Sequence, residues 1–178
     1  RLLGAGINWF IVDNQSDLEI IKKYLKENNV EKKINLLLRI KLKERTLKTE
    51  RYFVFGMTSK IVNEQIEKIR TDEEINSKIE KLGVHFHRKT QNMSEWDLDY
   101  ELSNILEERT FDNVDIINIG GGLPSVYANT NVDVVKGVFE KVKKLKDFLE
   151  EKNVEMMVEP GRFIAAPAGK HIKKIIGI

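Results

Sequence analysis

Residues 158–163, with the sequence VEPGRF, place a carboxylate and a guanidinium three positions apart around a Pro-Gly turn. They follow an apolar segment that is typical of a β-strand. The Glu159 carboxylate can pair with a protonated nitrogen, and the Arg162 guanidinium can hold an oxyanion such as phosphate. The alternative is a local ion pair between Glu159 and Arg162, which contributes little to stability if it is exposed.

Three consecutive glycines, Gly120, Gly121 and Gly122, follow another apolar segment at 115–119. Consecutive glycines allow backbone N–H groups to approach an anion closely and to form a nest for phosphate. A plain tight turn between a strand and a helix explains the same residues. The spacing matches neither a dinucleotide fingerprint nor a P-loop, because no Gly-Lys-Ser/Thr follows.

His85 and His87 end a third apolar segment, 82–87, where the strand period of two puts both imidazoles on one face. A zinc site, a buried hydrogen-bonded histidine, and stacking of the His87 ring on a flat ligand all fit this pattern. The remaining histidine is distant in the sequence and no carboxylate lies at metal-ligand spacing, so we predict no metal site. In the polar loop 88–92, Thr90 could donate its hydroxyl to a phosphate, and a solvated loop is the alternative.

Apolar strand-like segments alternate with helical patterns along the chain. We predict strands at 7–12, 34–40, 82–87, 115–119 and 154–158 and consider a sixth at 172–178. The helical patterns include capping sequences at 16–19 and 130–133 and a short helix at 72–81. Strands that are apolar on both faces indicate a parallel sheet covered by helices.

A barrel of eight βα units and an open doubly wound sheet both fit this α/β pattern, although five or six strands are too few to close the barrel. In both architectures ligands bind at the carboxyl ends of the strands. Arg39 and the two histidines lie at the ends of predicted strands, and the glycines and the 159–162 segment follow two others. We therefore expect them to meet at one edge of the sheet.

The composition excludes several classes of function. With 178 residues and 41% hydrophobic content, the chain suits a single domain. The 30 basic and 28 acidic residues nearly cancel, so nothing favours binding to nucleic acid or to an acidic membrane. The absence of cysteine excludes disulfides and a cysteine nucleophile. No apolar run approaches the ~20 residues of a membrane span and no signal peptide is visible, so a cytoplasmic protein is expected.

Four motifs in order resemble the fold-type III pyridoxal-phosphate decarboxylases, the family of ornithine, diaminopimelate and arginine decarboxylases. They are LLRI at 37–40, GVHFH at 83–87, NIGGG at 118–122 and EPGRF at 159–163. The resemblance covers nearly the whole chain, and motif order, spacing and strand-end position agree. It implies a partial (β/α)8 TIM-type barrel of the alanine racemase kind, a β-rich second domain, and a homodimer.

The resemblance also implies pyridoxal 5'-phosphate as the cofactor and a role for each matching residue. His87 would stack on the cofactor ring and Glu159 would pair with its pyridine nitrogen, which makes both catalytic. Arg39 matches an arginine near the ring, and Thr90 stands where the family has a serine near the phosphate. The residues that would surround the phosphate are Gly120, Gly121, Gly122, Pro160, Gly161 and Arg162.

The chain also departs from the family pattern. The Schiff-base lysine of the family precedes the matching region, and neither Lys60 nor Lys89 stands at its position. We therefore expect residues 1–178 to be one domain, a fragment of the barrel without the lysine strand or the C-terminal β domain.

The expected function is decarboxylation of a basic amino acid, of the ornithine, lysine or diaminopimelate type, by the longer parent protein. The isolated fragment is expected to be inactive. The alternatives are a non-catalytic homologue that binds the cofactor and a cofactor-free barrel enzyme for phosphorylated substrates.

Overall fold

Five parallel strands form one sheet in the computed structural model, which describes residues 1–30, 32–42, 55–88, 96–126 and 131–169. The strands are β1 (Trp9–Val12), β2 (Ile34–Arg39), β3 (Ile79–His85), β4 (Ile116–Asn118) and β5 (Glu155–Met157). Each strand pairs with the next in chain order. A doubly wound sheet would reverse its strand order, so this winding confirms the partial barrel and excludes the open sheet.

Seven α-helices alternate with the strands in the described part of the chain. They are α1 (Gln15–Glu27), α2 (Ser59–Thr71), α3 (Glu73–Asn76), α4 (Leu98–Ile105), α5 (Glu108–Phe111), α6 (Val132–Glu151) and α7 (Gly161–Ala165). Short 3-10 helices lie at Leu3–Ala5 and Ala166–Ala168. Within the described ranges, no helix combines the length and the apolar character that crossing a bilayer requires.

Asparagine side chains cap α1 and α6, the helices that follow the capping sequences predicted at 16–19 and 130–133. The Asn131 side chain accepts hydrogen bonds from the backbone N–H groups of Asp133 and Val134 at the start of α6, which confirms the cap at 130–133. The cap at 16–19 is wrong, because α1 begins two residues earlier. Asn14 accepts from the backbone N–H of Asp17 at 2.9 Å and satisfies that end of the helix.

The helix predicted at 72–81 ends at Asn76, and β3 begins at Ile79 rather than at residue 82. Charged residues conceal the start of this strand in the sequence. Glu80 is exposed, and the Lys81 ammonium pairs with the Glu155 carboxylate at 2.5 Å across the sheet. The sixth strand considered at 172–178 lies outside the described residues.

Strand residues alternate between a face covered by helices and an inner face. On the covered face, Leu36, Leu38, Val84 and Ile117 are fully buried in the main core. The inner face ends in a row of register partners at the carboxyl ends of β2, β3 and β4: Arg39, His85 and Asn118. Three polar side chains therefore stand side by side at the edge where ligands bind in parallel α/β folds.

Gly137 provides a test of the helix packing. It lies inside α6, and a Cβ atom at this position would meet no atom within 4 Å. Gly137→Ala is expected to raise the free energy of unfolding by about 0.5–1 kcal/mol, because alanine loses less backbone entropy in a helix. Thermal unfolding of the protein measures this.

Gly6→Ala is the matched control for Gly137→Ala. It adds the same methyl group into equally open space, but Gly6 has a φ of 84°. An alanine there is strained, so we expect a loss of about 1 kcal/mol. A lower midpoint for Gly137→Ala, or equal effects of the two substitutions, would contradict this account.

Candidate functional site

Glu159 is the centre of a polar cluster at the carboxyl ends of β3, β4 and β5. The Asn118 Nδ2 group donates a hydrogen bond of 2.9 Å to Glu159 Oε1. His85 Nε2 lies 3.8 Å from the same oxygen, and His87 Nδ1 lies 3.7 Å from Glu159 Oε2. The fold thus brings three of the predicted strand ends together around one carboxylate.

The local ion pair between Glu159 and Arg162 does not form. Arg162 is exposed and makes no ion pair with any residue that the structure describes. The backbone N–H of Gly161 donates to the Glu159 carbonyl at 2.9 Å, where α7 begins after Pro160. Among the described residues the Arg162 guanidinium is therefore not held by a carboxylate, which leaves it available to an anion.

The two histidines occupy different environments. β3 ends at His85, so the prediction that His87 is the last strand residue is wrong. The His85 side chain is 5% exposed and the His87 side chain is 44% exposed. Their rings are 6.5 Å apart and tilted by 38°. The exposed His87 ring can contact a flat ligand, whereas the His85 ring is enclosed.

Burial determines the charge of His85. Burial is the main reason that the pKa of His85 falls from 6.5 to about 4; the Glu159 carboxylate opposes this shift, and the nearby Arg39 and His87 contribute to it. Neither ring nitrogen of His85 has a hydrogen-bond partner among the described residues. The imidazole is therefore neutral at pH 7. A buried, hydrogen-bonded histidine is one alternative that the sequence leaves open; His85 is buried, but its ring makes no hydrogen bond to any described residue.

The spacing argument against a metal site does not hold in three dimensions. Glu159 is 72 positions or more from both histidines in sequence, yet one ligand atom from each of His85, His87 and Glu159 lies within 4.8 Å of the others. A cation at this place would need the same carboxylate oxygens that a protonated ring nitrogen would use. The two kinds of ligand would therefore compete for Glu159.

The glycine loop packs directly against this cluster. Gly120 and Gly122 have φ angles of 65° and 94°. A Cβ atom on Gly120 would lie 2.4 Å from the Phe86 carbonyl oxygen, and one on Gly121 would lie 3.0 Å from the His87 ring. The Gly121 N–H points to His87 Nδ1 at 3.4 Å. Close approach and a positive φ both require glycine at Gly120, a positive φ favours glycine at Gly122, and a Cβ atom on Gly121 would fit only tightly against the His87 ring.

Arg39 lies at the same edge but pairs with another element. Its Nε atom is 3.5 Å from Asp13 Oδ1, just after β1. The guanidinium carbon lies 5.3 Å from the centre of the Phe55 ring, at cation–π distance. Asp13 and Phe55 thus hold Arg39 in the row that contains His85 and Asn118.

The polar loop after β3 begins with a buried residue. The Arg88 guanidinium stacks at 5.9 Å from Phe86 and 5.5 Å from Trp96, and its Nη2 donates to Glu101 at 2.9 Å. Arg88 therefore attaches the segment after β3 to α4, and the alternative of a solvated loop is wrong at this residue. Thr90, the predicted phosphate contact, lies outside the described residues.

Asn118 is the site residue that the sequence prediction did not select. It is 1% exposed and contacts both Glu159 and the glycine loop. A signal for it was present, because it is a polar residue at the end of an apolar strand, two positions before the first glycine. The strand-end argument that selected Arg39 applies equally to this position.

The buried His85 predicts a specific dependence of stability on pH. Its pKa is about 4 in the folded protein and 6.5 as the ordinary value, so between these values the unfolded chain binds more protons. Stability is complete above about pH 6.5 and falls as the pH drops toward 4, by about 2 kcal/mol at pH 5. Urea unfolding at pH 7.5, 6 and 5 measures the loss.

The His85→Gln variant is expected to lose most of this pH dependence, because glutamine does not titrate. His87→Gln is the control, since it removes the exposed histidine and leaves His85 in place. Equal slopes of stability against pH for the wild type and His85→Gln would show that His85 is not the group responsible.

Comparison with known proteins identifies the fold family. The family model "Pyridoxal-dependent decarboxylase, pyridoxal binding domain" matches residues 1–166. The solved structure of a lysine/ornithine decarboxylase from Vibrio vulnificus complexed with cadaverine is 26% identical with a TM-score of 0.62, covering 93% of this chain and 41% of that one. No match was found among curated proteins.

Two further solved structures share the fold at lower identity. The lysine decarboxylase from Selenomonas ruminantium is 20% identical with a TM-score of 0.60, covering 91% of this chain and 39% of that one. The Paramecium bursaria Chlorella virus arginine decarboxylase bound to agmatine is 20% identical with a TM-score of 0.57, covering 89% and 40%. The chain thus spans about two fifths of the length of these enzymes.

The match to a pyridoxal-binding domain confirms the cofactor predicted from the sequence, pyridoxal phosphate. The chemistry of the cluster fits this group, because a fixed carboxylate, an exposed imidazole ring and a glycine loop without room for side chains lie at one edge of the sheet. The family-level resemblance seen in the four motifs is also confirmed. The chain belongs to the pyridoxal-dependent decarboxylase family, whose pyridoxal-binding domain corresponds to residues 1–166.

Proposed function

We propose that residues 1–178 form one domain, the cofactor-binding part of a longer enzyme that decarboxylates a basic amino acid of the ornithine, lysine or diaminopimelate type. The observation that carries the proposal is the Glu159 carboxylate, held by Asn118 beside the glycine loop. The family match and the basic-amino-acid decarboxylases among the solved structures support the reaction class. The Schiff-base lysine and the second domain would belong to other parts of the longer protein.

Each end of the cofactor would be held by a different group of residues. Glu159 would pair with the ring nitrogen, His87 would contact a face of the ring, and Arg39 would lie near the ring. The phosphate would be held by the glycine loop and by the turn after β5, with these residues taking part: Thr90, Gly120, Gly121, Gly122, Pro160, Gly161 and Arg162. The exposed Arg162 and the absence of space for a Cβ in the loop support this assignment.

Pyridoxal phosphate held in this way would supply an electron sink for the carbanion that loss of carbon dioxide leaves. The residues of this chain would adjust that capacity through the ring nitrogen. The Glu159 carboxylate would hold the proton on that nitrogen, because an adjacent negative charge favours the protonated form. The neutral His85 supports this role, since a charged imidazole 3.8 Å from Glu159 Oε1 would compete with the ring for the carboxylate.

The full-length protein is further proposed to be a cytoplasmic homodimer, as the family resemblance implies. Light scattering of the purified protein tests the dimer, and a monomer at micromolar concentration would contradict it. The substrate remains at the level of a class, because cadaverine and agmatine are bound to the related enzymes rather than to this chain.

The central experiment is reconstitution of the full-length protein with pyridoxal phosphate. We expect a yellow protein that releases carbon dioxide from at least one of lysine, ornithine, arginine and diaminopimelate, supplied in both stereochemical forms. A protein that stays colourless with added cofactor would refute the proposal. A yellow protein that releases no carbon dioxide from any of them would instead indicate the non-catalytic homologue.

A further inference from the structure

Asn118, Gly120 and Glu159 form a closed ring of three hydrogen bonds. The Gly120 N–H donates to Asn118 Oδ1 at 2.9 Å, and the Asn118 Nδ2 group donates to Glu159 Oε1 at 2.9 Å. The Glu159 N–H completes the ring by donating to the Gly120 carbonyl oxygen at 2.8 Å. The ring joins β4, the glycine loop and the segment after β5, so the loop and the carboxylate form one structural unit.

The orientation of the Asn118 amide is determined by its partners. A backbone N–H can only donate, so the amide oxygen must face Gly120. The amide nitrogen must then face Glu159, whose ionised carboxylate can only accept. Asn118 is 1% exposed, so water does not compete for either bond. The Asn118 side chain can do this because a carboxamide carries an acceptor and a donor in one plane. Glutamine carries the same group but is longer by one methylene.

The bond from Asn118 fixes the orientation of the Glu159 carboxylate, because Nδ2 donates to Oε1 at 2.9 Å. The bond also occupies Oε1, which lies on the side of the buried His85, whereas Oε2 lies on the side of the exposed His87. The carboxylate is thereby turned so that Oε2 faces the open part of the site.

We propose that Asn118 is a positioning residue that couples the two ends of the cofactor site, fixing the Glu159 carboxylate for the ring nitrogen in register with the loop that takes the phosphate. This inference rests on the proposed function, because it assumes that the ligand has both groups. According to this proposal, Asn118 does more than support the glycine loop. It also contributes to recognition of the ring nitrogen, because it orients Glu159.

Asn118→Asp separates these two tasks. An aspartate keeps an acceptor for the Gly120 N–H but puts a second carboxylate beside Glu159, and two carboxylates this close share a proton. The full-length protein is freed of cofactor and titrated with pyridoxal phosphate and with an analogue whose ring nitrogen is replaced by carbon. We expect Asn118→Asp to weaken binding of pyridoxal phosphate about 10- to 100-fold and binding of the analogue less than about threefold.

A second readout reports the ring nitrogen directly. With ¹⁵N-labelled pyridoxal phosphate, the nitrogen shift in Asn118→Asp is expected to move from the protonated toward the unprotonated value. Asn104→Asp is the matched control, because Asn104 is exposed on α4 and, among the described residues, its side chain bonds only to the Tyr100 carbonyl oxygen one turn earlier. It adds the same charge far from the site, so affinity and nitrogen shift should stay unchanged.

The outcomes of these measurements test the role of Asn118 separately from the proposed function. Equal weakening of both ligands in Asn118→Asp, or wild-type affinity with an unchanged nitrogen shift, would overturn the role of Asn118. If Asn118→Asp does not fold, Asn118→Ser removes the donor to Glu159 without adding charge and is compared with the same two ligands. Failure of the wild-type protein to bind pyridoxal phosphate would instead refute the proposed function.

Discussion

Glu159→Gln in the full-length protein is expected to lower the rate of decarboxylation about 10²–10³-fold, the usual cost of removing a preorganised electrostatic group. Glutamine has the shape of glutamate and still offers an oxygen to Asn118, so the sheet edge should remain folded. It carries no charge, and therefore no longer favours the protonated ring nitrogen on which the ring's electron-accepting capacity depends. Initial rates at saturating cofactor and substrate measure the effect.

Glu155→Gln is the control for this prediction. Glu155 is also an exposed carboxylate associated with β5, but it pairs with Lys81 at 2.5 Å near the other end of the strand. Its replacement should change the rate by less than about threefold, because exposed ion pairs contribute little. The Glu159→Ala variant should lose the yellow colour of the bound cofactor as well as activity. Wild-type activity in Glu159→Gln would exclude Glu159 as the partner of the ring nitrogen.

The strand and helix order was predictable because each strand contains a short apolar run. Leu36, Leu37 and Leu38 are buried on both faces of β2, and such a run fits only a sheet covered on both sides. The start of β3 was not predictable in this way. Lys81 is accommodated in the strand because Glu155, two strands away in the sheet, neutralises it.

Some features of the candidate site were predictable from the sequence, and others were not. Glycines and strand-end charges are visible in the sequence because backbone conformation restricts those positions to few residue types. Contacts between distant segments are not visible. Asn118 meets Glu159 across 41 positions, and Arg88 is buried because Trp96 and Glu101 lie over it. The sequence therefore identified side chains that could bind a ligand or take part in a reaction. The fold determines which oxygen of the Glu159 carboxylate is held and which faces the site.

Gly120→Ala is expected to remove cofactor binding almost completely. The new methyl group would lie 2.4 Å from the Phe86 carbonyl oxygen and 3.0 Å from the His87 Cα atom. Both are backbone atoms that cannot rotate away, so the loop itself must move. That movement lengthens the bonds of Gly120 to Asn118 and to Glu159, and a shift of about 1 Å at a catalytic site can cost about 100-fold.

The measurement is a titration of the cofactor-free full-length protein with pyridoxal phosphate, followed by absorbance. We expect at least about 100-fold weaker binding for Gly120→Ala. Gly137→Ala adds the same methyl group inside α6, where no atom lies within 4 Å, and should bind as the wild type does. Wild-type affinity in Gly120→Ala would mean that the loop can move without consequence. The phosphate would then be held mainly by Arg162 and the turn after β5, and the coupling of loop and carboxylate through Asn118 would lose its basis.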